Sequence, residues 1–548
     1  PMVNIPEGEF IFGANGGDKN ANPNHKIKVA KFQLAKYPVT VAEFKKFVED
    51  TGYTQSEKCD DYIDHDWFRG PEHEGTGSWD NNRFLTNEYQ PVTCVSWQGV
   101  QAYTKWLSEK TGIEYRLPTE QEWEYSAKAN TTSRFYWGDD LDMTQACQYG
   151  NFPDLSTEYF ASKQYNASLV GYVGHVNCDD GEPYTSIVGM YRPNPFGLYD
   201  MAGNTFEYVG SCYYEDKFKT LTKEENDISQ CEAITLKSRS WFGISEPFGQ
   251  RRQDKVKKWK PGKLTGFRLA ANGHNINISP STAAFEAELN QAQRTRSAAR
   301  EKLPMAPENT QLQSLQDGKF KLSWNAVNDP RVKGYEIHKS KLPHAHLIGF
   351  AYRNYYEKAW VVDANVNTID VPLGDEGGSF RVVTVTDKLT SLPSEPAFYK
   401  EIETLDIPGR INVEESKSSK DAPLLYIEQD DGAGFYYIYK YNDEFAQSTS
   451  EANFNINVKK TAWYNVNYKG VTYHKGELFK LWSGNKLLGE IGFDPDIDDK
   501  TSNRHKVFLE RGNHELQLSI VRNGFDKAGV AWLEFTEVTS DPEGNIAE

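Results

Sequence analysis

The sequence lacks the features of several large classes of protein. No apolar run approaches the roughly 18 residues that a membrane-spanning helix requires, so we predict no membrane span. The chain has 61 Lys and Arg against 78 Asp and Glu, which gives a net charge of −17. This excess of acidic residues argues against nucleic acid or an anionic membrane as the main partner. Methionine is also rare, with 5 residues against 42 Gly and 25 Pro, which favours loop-rich and strand-rich domains over helical bundles.

Recognisable catalytic and targeting motifs are missing as well. We find no HExxH, GxSxG, P-loop or dinucleotide fingerprint, and no pairing of a nucleophile with a base. The first residues have neither a basic n-region nor an apolar h-region. We therefore expect either a cytosolic protein or one whose signal peptide has been removed.

Cysteine is confined to the first half of the chain. The six cysteines are Cys59, Cys94, Cys147, Cys178, Cys212 and Cys231. They form no CxxC pair and no Cys/His cluster at zinc spacing, so a metal site is poorly supported. An even number in one segment favours three disulfides and a secreted, periplasmic or cell-surface location. Six reduced, buried thiols in a cytosolic protein are the alternative.

Two capping boxes mark the starts of helices in this first half. Thr40 is followed by Glu43, and Thr119 is followed by Glu122, each in the spacing that satisfies the first backbone N–H groups of a helix. Apolar residues at helical spacing predict another helix over 97–111. We expect all three helices to contribute mainly to core packing.

The segment around the second capping box is recognisable. Its sequence, RLPTEQEWEY at 116–125, resembles the signature of the formylglycine-generating enzyme (sulfatase-modifying factor) family. Five further motifs agree in order: MVNIPEGEF at 2–10, YPVT at 37–40, PVTCVSW at 91–97, NPFGLYDMAGN at 194–204 and GFRL at 266–269. The resemblance covers about half of the chain and implies an α+β, C-type-lectin-like fold.

The family's copper chemistry does not carry over. Those enzymes oxidise a substrate cysteine with copper held by two cysteines, and the corresponding positions here are Gly243 and Phe248. Neither side chain can bind Cu(I), which prefers soft sulfur ligands. We therefore predict no copper, no formylglycine-generating oxidase activity and no catalytic residues.

The resemblance also implies structural features. Its order and spacing suggest three disulfides: Cys59–Cys94, Cys147–Cys178 and Cys212–Cys231. It implies two calcium sites built from oxygen ligands, which hard cations prefer. The first set comprises Asn151, the Phe152 carbonyl, Asp180 and the Glu182 carbonyl. The second set comprises Asp200, the Gly203 and Thr205 carbonyls, and Glu207.

The family's substrate groove maps onto four positions of this chain. The corresponding residues are Phe206, Ser240, Trp241 and Arg251. Arg239 stands where the family has a small glycine that allows close backbone approach, which argues against the original peptide groove. These four residues are either a ligand groove or ordinary packing and rim residues.

The second half of the chain has a different composition. Residues 273–306 are rich in Ala, Glu, Gln and Arg with few apolar anchors, which predicts a semi-rigid helical linker. Residues 307–403 contain short alternating strands, including FKLSW at 320–324 and FRVVTVT at 380–386, and resemble a fibronectin type III module.

Residues 404–548 alternate again and resemble the galactose-binding-like jelly roll of family 6 and family 35 carbohydrate-binding modules. We therefore expect two all-β sandwich domains after the first domain, 1–272. Sugar recognition needs exposed aromatic rings with a few polar groups. The candidates are Tyr436, Tyr437, Tyr439, Tyr441, Tyr473 and His474. The final-strand aspartate that often holds calcium in such modules is Ala531 here, so calcium is not expected in this domain.

These observations predict a secreted or surface-associated, non-catalytic binding protein with a calcium-stabilised pseudo-enzyme head. Its expected partner is a glycan or a cell-surface protein. One alternative is an enzyme of the same superfamily with chemistry that does not use copper. Another is a structural component of a surface assembly.

Overall fold

The computed structural model describes most of the chain. The described residues are 1–13, 24–59, 77–140, 143–165, 176, 178–214, 228, 233–242, 256–257, 261–272, 279–315, 319–340, 355–372, 378–398, 404–413, 424–428, 434–439, 450–472, 478–492, 505–521 and 528–538. They form two compact units, an N-terminal unit (Pro1–Leu303) and a C-terminal unit (Pro304–Glu548). Within the described segments no helix has both the length and the apolar character to cross a bilayer.

In its described residues the N-terminal unit combines five α-helices with short strands. The helices are α1 (Val41–Thr51), α2 (Trp97–Thr111), α3 (Glu120–Lys128), α4 (Leu155–Tyr165) and α5 (Pro280–Ala299). The strands are β1 (Met2–Ile5), β2 (Gly8–Phe12), β3 (His25–Val29), β4 (Phe32–Ala35), β5 (Tyr115–Arg116), β6 (Phe206–Cys212), β7 (Ala233–Lys237), β8 (Val256–Lys257), β9 (Thr265–Phe267) and β10 (Ala270–Ala271). They form sheets in the orders β1-β4-β10-β5, β8-β7-β6-β9 and β2-β3.

Both predicted capping boxes are confirmed. The Thr40 hydroxyl accepts from the Glu43 N–H and the Glu43 carboxylate accepts from the Thr40 N–H, and α3 repeats this arrangement with Thr119 and Glu122. Phe44 on α1 stacks on Tyr103 of α2, with ring centroids 5.7 Å apart. The caps fix where α1 and α3 begin, and aromatic side chains bury α1 against α2.

Two of the disulfides implied by the resemblance are present. Cys59 is bonded to Cys94 and Cys147 to Cys178, with Cα–Cα distances of 5.3 and 6.0 Å. Cys212 is also disulfide-bonded. Its expected partner, Cys231, lies outside the described residues.

The helix expected within the predicted linker over 273–306 is present as α5. Helix α5 packs on the N-terminal unit, where Leu289 is 1% exposed and contacts a cluster with Tyr37, Ile187 and Val188. The prediction underestimated α5 because its two main anchors, Phe285 and Leu289, are spaced i,i+4 and therefore lie on one face, which is enough to dock it.

Ionic contacts complete the docking of α5. The Glu182 carboxylate pairs with both Arg296 and Arg300, at 2.7 Å each. Beyond the helix, the Leu303 N–H donates to Asp179 at 2.6 Å. The N-terminal unit therefore includes α5 and ends at Leu303, well beyond the expected boundary at 272.

The C-terminal unit contains only strands among its described elements. Residues 311–398 form two antiparallel sheets, in the orders β11-β12-β15 and β14-β13-β16-β17, around a core that includes Trp324. The strands are β11 (Gln311–Ser314), β12 (Lys319–Ser323), β13 (Gly334–Ser340), β14 (Tyr356–Asp363), β15 (Thr368–Pro372), β16 (Ser379–Val385) and β17 (Ala397–Phe398).

The remaining strands form a second pair of sheets around their own core. These sheets run β18-β22-β27-β24-β25 and β20-β21-β28-β23-β26, with β19 paired to β28. The strands are β18 (Thr404–Ile407), β19 (Gly409–Asn412), β20 (Leu424–Glu428), β21 (Gly434–Tyr439), β22 (Ser450–Val458), β23 (Ala462–Thr472), β24 (Leu478–Ser483), β25 (Lys486–Gly492), β26 (Lys506–Leu509), β27 (Gly512–Val521) and β28 (Ala528–Glu537). We call this region the C-terminal sandwich.

A buried charge network joins α3 to β7. The Glu124 carboxylate accepts from Lys237 at 3.0 Å, from Lys128 at 2.9 Å and from the Gly13 N–H at 2.8 Å. Burial alone would raise the pKa of Glu124, but the two ammonium groups and these hydrogen bonds outweigh it and lower the pKa to about 2. The network therefore stabilises the fold only while Glu124 is ionised.

We predict that Leu289→Ala destabilises the docking of α5. The substitution removes a fully buried side chain, which typically costs about 2–5 kcal/mol. Hydrogen exchange should accelerate both in α5 and at residues 187–188, which contact it. Asn290→Ala, at an exposed neighbouring position, is the matched control and should change neither. Equal exchange in the two variants would mean that α5 is a free connector.

We also predict that the stability of α3 falls in acid. Because the pKa of Glu124 is lower in the folded state, its contribution is complete above about pH 4.5 and is lost as the pH falls towards about 2. A shift of this size corresponds to about 3 kcal/mol. Hydrogen exchange of α3 peptides at several urea concentrations should show this loss between pH 5 and pH 3.

The Glu124→Gln variant should be less stable at neutral pH and should lose most of that acid dependence. Glu109→Gln is the control, because the Lys105–Glu109 pair is highly exposed and such pairs contribute little. An unchanged pH dependence in Glu124→Gln would contradict this assignment.

Candidate functional site

Three of the four expected groove residues are described, and they lie in or next to β6 and β7. Ser240 and Trp241 are both 0% exposed. The Trp241 ring contacts Phe84, Tyr184 and Phe242, with centroids 5.2, 5.1 and 5.6 Å away. The described part of this region is therefore an aromatic cluster.

Of the other two groove positions, the structure describes only Phe206. Phe206 is half-buried and packs against the same aromatic cluster, while Arg251 lies outside the described residues. The Ser240 hydroxyl accepts from the Phe242 N–H at 3.2 Å, which fixes the turn after β7. The sequence left open whether these positions line a ligand groove or are packing and rim residues. In the structure, Ser240 and Trp241 are buried packing residues.

One polar atom in the aromatic cluster has no partner. The Trp241 Nε1–H is buried and has no hydrogen-bond partner in the described part of the chain, while its backbone N–H donates to the Asn204 carbonyl at 3.1 Å. The positions of the missing copper ligands, Gly243 and Phe248, lie outside the described residues. The five cysteines that are described are all disulfide-bonded, so none of them offers a thiolate.

The residues of the first calcium set fit a hard cation. The Asn151 Oδ1 is buried and has no hydrogen-bond partner, whereas its Nδ2 donates to the Tyr184 carbonyl at 2.7 Å. Asp180 is also buried, and its two oxygens accept from the Glu182 N–H and the Tyr191 hydroxyl at 2.6 Å each, so a cation would have to share them with these donors. Burial together with the charge of Asp154 raises the pKa of Asp180 well above the usual range. A cation would supply the missing partner for Asn151 and favour the ionised form of Asp180.

The remaining members of this set have structural partners. Phe152 is fully buried, and the Glu182 side chain is occupied by the arginines of α5. Only the backbone carbonyls of these two residues were expected to bind calcium, so these contacts do not conflict with the expectation. No cluster of three or more His, Cys, Asp or Glu side chains suited to a metal occurs in the described part of the chain.

The residues of the second calcium set do not fit. Both oxygens of Glu207 are bound by Arg268, through Nε and Nη2 at 2.7 Å each, and the Trp123 Nε1–H adds a third bond at 2.7 Å. Glu207 and Arg268 are both completely buried. The guanidinium thus already supplies the positive charge that the expected calcium would provide.

The other members of the second set are also committed to the fold. The Asp200 carboxylate accepts from the Gly189 N–H at 2.7 Å, and the Gly203 carbonyl accepts from the Thr205 N–H at 2.9 Å. Burial raises the pKa of Asp200 to about 6. Its second oxygen and the Thr205 hydroxyl lack partners, but without Glu207 they supply no complete set of ligands.

The expected sugar-binding residues lie in or beside β21 and β23. Tyr436, Tyr437 and Tyr439 belong to β21, where the structure describes the backbone only. Tyr441, Tyr473 and His474 lie outside the described residues.

One exposed aromatic pair in the C-terminal sandwich was not predicted from the sequence. Trp463 and Phe508 are opposite each other on β23 and β26 and are 47% and 36% exposed. The strand alternation contained the signal, because Tyr464, Val466 and Tyr468 point into the core and therefore leave Trp463 outside.

Known proteins with similar sequences agree with the motifs. A family model described as "Sulfatase-modifying factor enzyme 1-like domain" matches residues 1–273. The formylglycine-generating enzyme of Streptomyces coelicolor is 30% identical over 242 residues, which cover 39% of this chain and 69% of that enzyme. The serine/threonine-protein kinase Pkn1 of Chlamydia caviae is 28% identical over 276 residues, 49% of this chain and 37% of the kinase.

The chain thus spans little more than a third of the length of that kinase. Among solved structures, PvdO from Pseudomonas aeruginosa shares 26% identity, with 50% of this chain and 94% of that chain covered at a TM-score of 0.39. The family match over residues 1–273 falls on the N-terminal unit and spans the six motifs. Through residues 1–273, the chain therefore belongs to the sulfatase-modifying factor enzyme 1-like family, which includes the formylglycine-generating enzymes.

Proposed function

We propose that this chain is a secreted or surface-associated binding protein whose N-terminal unit keeps the fold of its family without its oxidase chemistry. The observation that carries the proposal is the burial of Trp241 in an aromatic cluster at the position of the family's substrate groove. Gly243 and Phe248 at the copper positions support the same conclusion, because neither can supply a thiolate.

Disulfide bonding supports a location outside the reducing cytosol. Two disulfides lie in the described part of the N-terminal unit and Cys212 forms another. Such bonds persist in oxidising compartments. The protein would then meet glycans or surface proteins, as the expected partners require.

The C-terminal unit would provide the binding function. Residues 311–398 have the three-plus-four strand arrangement of a fibronectin type III module, which would act as a spacer. The C-terminal sandwich resembles a carbohydrate-binding module and would bind the glycan. Exposed aromatic side chains on its surface support this assignment, because sugars stack on flat rings.

Two assays on the intact chain test the proposal. The protein should bind at least one polysaccharide on a glycan array, and it should convert no CxPxR peptide to formylglycine with copper present. A copper-loaded formylglycine-generating enzyme serves as the positive control for the second assay. Turnover of the peptide would overturn the non-catalytic assignment, whereas an array without any bound glycan would overturn the glycan assignment.

Calcium remains a proposal for the first set of ligands alone. Bound calcium would cross-link Asn151 and Asp180 through oxygen ligands and stabilise the N-terminal unit. A ligand that binds only the folded state at a hundredfold excess over Kd adds about 2.7 kcal/mol. Calcium should therefore raise the melting temperature of the N-terminal unit, and a chelator should lower it.

Substitutions distinguish the two sets. Asn151→Ala should abolish the response to calcium, whereas Asp200→Asn should preserve it, even if it lowers the starting stability. Calorimetry with and without chelator measures both responses. Identical melting curves together with an absence of bound metal by elemental analysis would contradict the site.

A further inference from the structure

We propose that a neutral oligosaccharide binds the outer face of β23 and β26, stacked on the Trp463–Phe508 pair. This inference rests on the proposed glycan binding and assigns it to residues other than the expected tyrosines. The two rings are cross-strand neighbours with centroids 5.6 Å apart and an interplanar angle of 59°. Exposed aromatic pairs are costly to leave in water and offer the apolar surface that a pyranose ring covers.

The positions that follow along β23 on the same face are amides. Asn465 pairs with Lys506 of β26 and Thr536 of β28, and Asn467 pairs with Glu534. Strand spacing puts Asn467 about 13 Å from Trp463, a distance suited to a short oligosaccharide. Amide and hydroxyl side chains beside a ring provide the hydrogen bonds that orient a sugar.

One of these amides has an unsatisfied polar atom. Asn467 is 8% exposed, and its Oδ1 has no hydrogen-bond partner among the residues that the structure describes. A buried acceptor without a partner costs free energy that a donating hydroxyl would recover. This atom points to a ligand with hydroxyl donors, in addition to the exposed rings.

The charges on this face favour a neutral ligand. Arg410 pairs with Glu534 at 3.0 Å and stacks over Trp532 at 4.1 Å. Lys506 on β26, opposite Asn465, is exposed. Because Arg410 is matched by a carboxylate and Lys506 adds a single charge, the described part of this face lacks the concentrated positive charge that a nucleic acid or a polyanionic glycan would need. Its described apolar surface consists of the Trp463–Phe508 pair and of Trp532, which lies under Arg410, with amide side chains along β23 between them, and this suits a sugar better than a protein partner.

The test uses the full chain in affinity gels that contain laminarin, xylan, mannan or a soluble cellulose derivative. For a polysaccharide that retards the wild type, the apparent Kd of Trp463→Ala should be at least tenfold higher. Phe508→Ala and Asn465→Ala should each weaken binding several-fold, and Trp463→Phe should retain most of it. Leu487→Ala removes a similarly exposed apolar side chain from β25 and should bind as the wild type does.

The outcomes distinguish failure of this inference from failure of the proposed function. Retention by the wild type with equal retention of a folded Trp463→Ala variant would overturn the assignment to this face and leave glycan binding in place. No retention of the wild type in any gel would overturn both. Self-association of the wild type that Trp463→Ala abolishes, without any retention, would instead identify the face as an interface between copies of the chain.

Discussion

The N-terminal unit is organised around one buried guanidinium. Arg268 pairs with Glu207 on β6 and also donates to the backbone carbonyls of Ala35, Tyr199 and Asp200. It thereby connects the end of β4, the 194–204 motif and the sheet β8-β7-β6-β9. Loss of either charged partner would leave an uncompensated charge in the interior, which is among the most destabilising changes a fold can undergo.

This arrangement does not depend on the positions to which the resemblance assigns copper. The arginine and its carboxylate partner serve the scaffold, whereas the positions that correspond to the copper ligands, Gly243 and Phe248, lie in a separate segment of the sequence. The aromatic cluster around Trp241 is likewise built from side chains other than Arg268 and Glu207. If the oxidase chemistry is absent, as proposed, the fold can be kept without it.

The features that sequence predicted best are those with local causes. The capping boxes at Thr40 and Thr119 depend on residues three positions apart, so their geometry is almost independent of the rest of the chain. The cysteine pairs came from resemblance to the family, and two of them are present. The docking of α5 could not be predicted in this way, because Tyr37 and Val188, which Leu289 contacts, belong to distant parts of the sequence.

The candidate sites show the same limit. The expected second calcium set failed at Glu207, since its partner Arg268 is 61 residues away and only tertiary structure shows the pair. Trp463 has the opposite character. Its exposure follows from simple alternation along β23. Because a sandwich also needs aromatic residues in its core, the sequence alone did not distinguish Trp463 from the many buried aromatic residues.

The position of β10 in its sheet determines when the N-terminal unit can assemble. Ala270 and Ala271 lie between β4 and β5, and without them the two strands have no shared neighbour. Both of these strands come much earlier in the chain than β10, so closing this sheet requires a long loop to be ordered at a late stage. During synthesis almost the whole family domain therefore emerges from the ribosome before its own sheet can close.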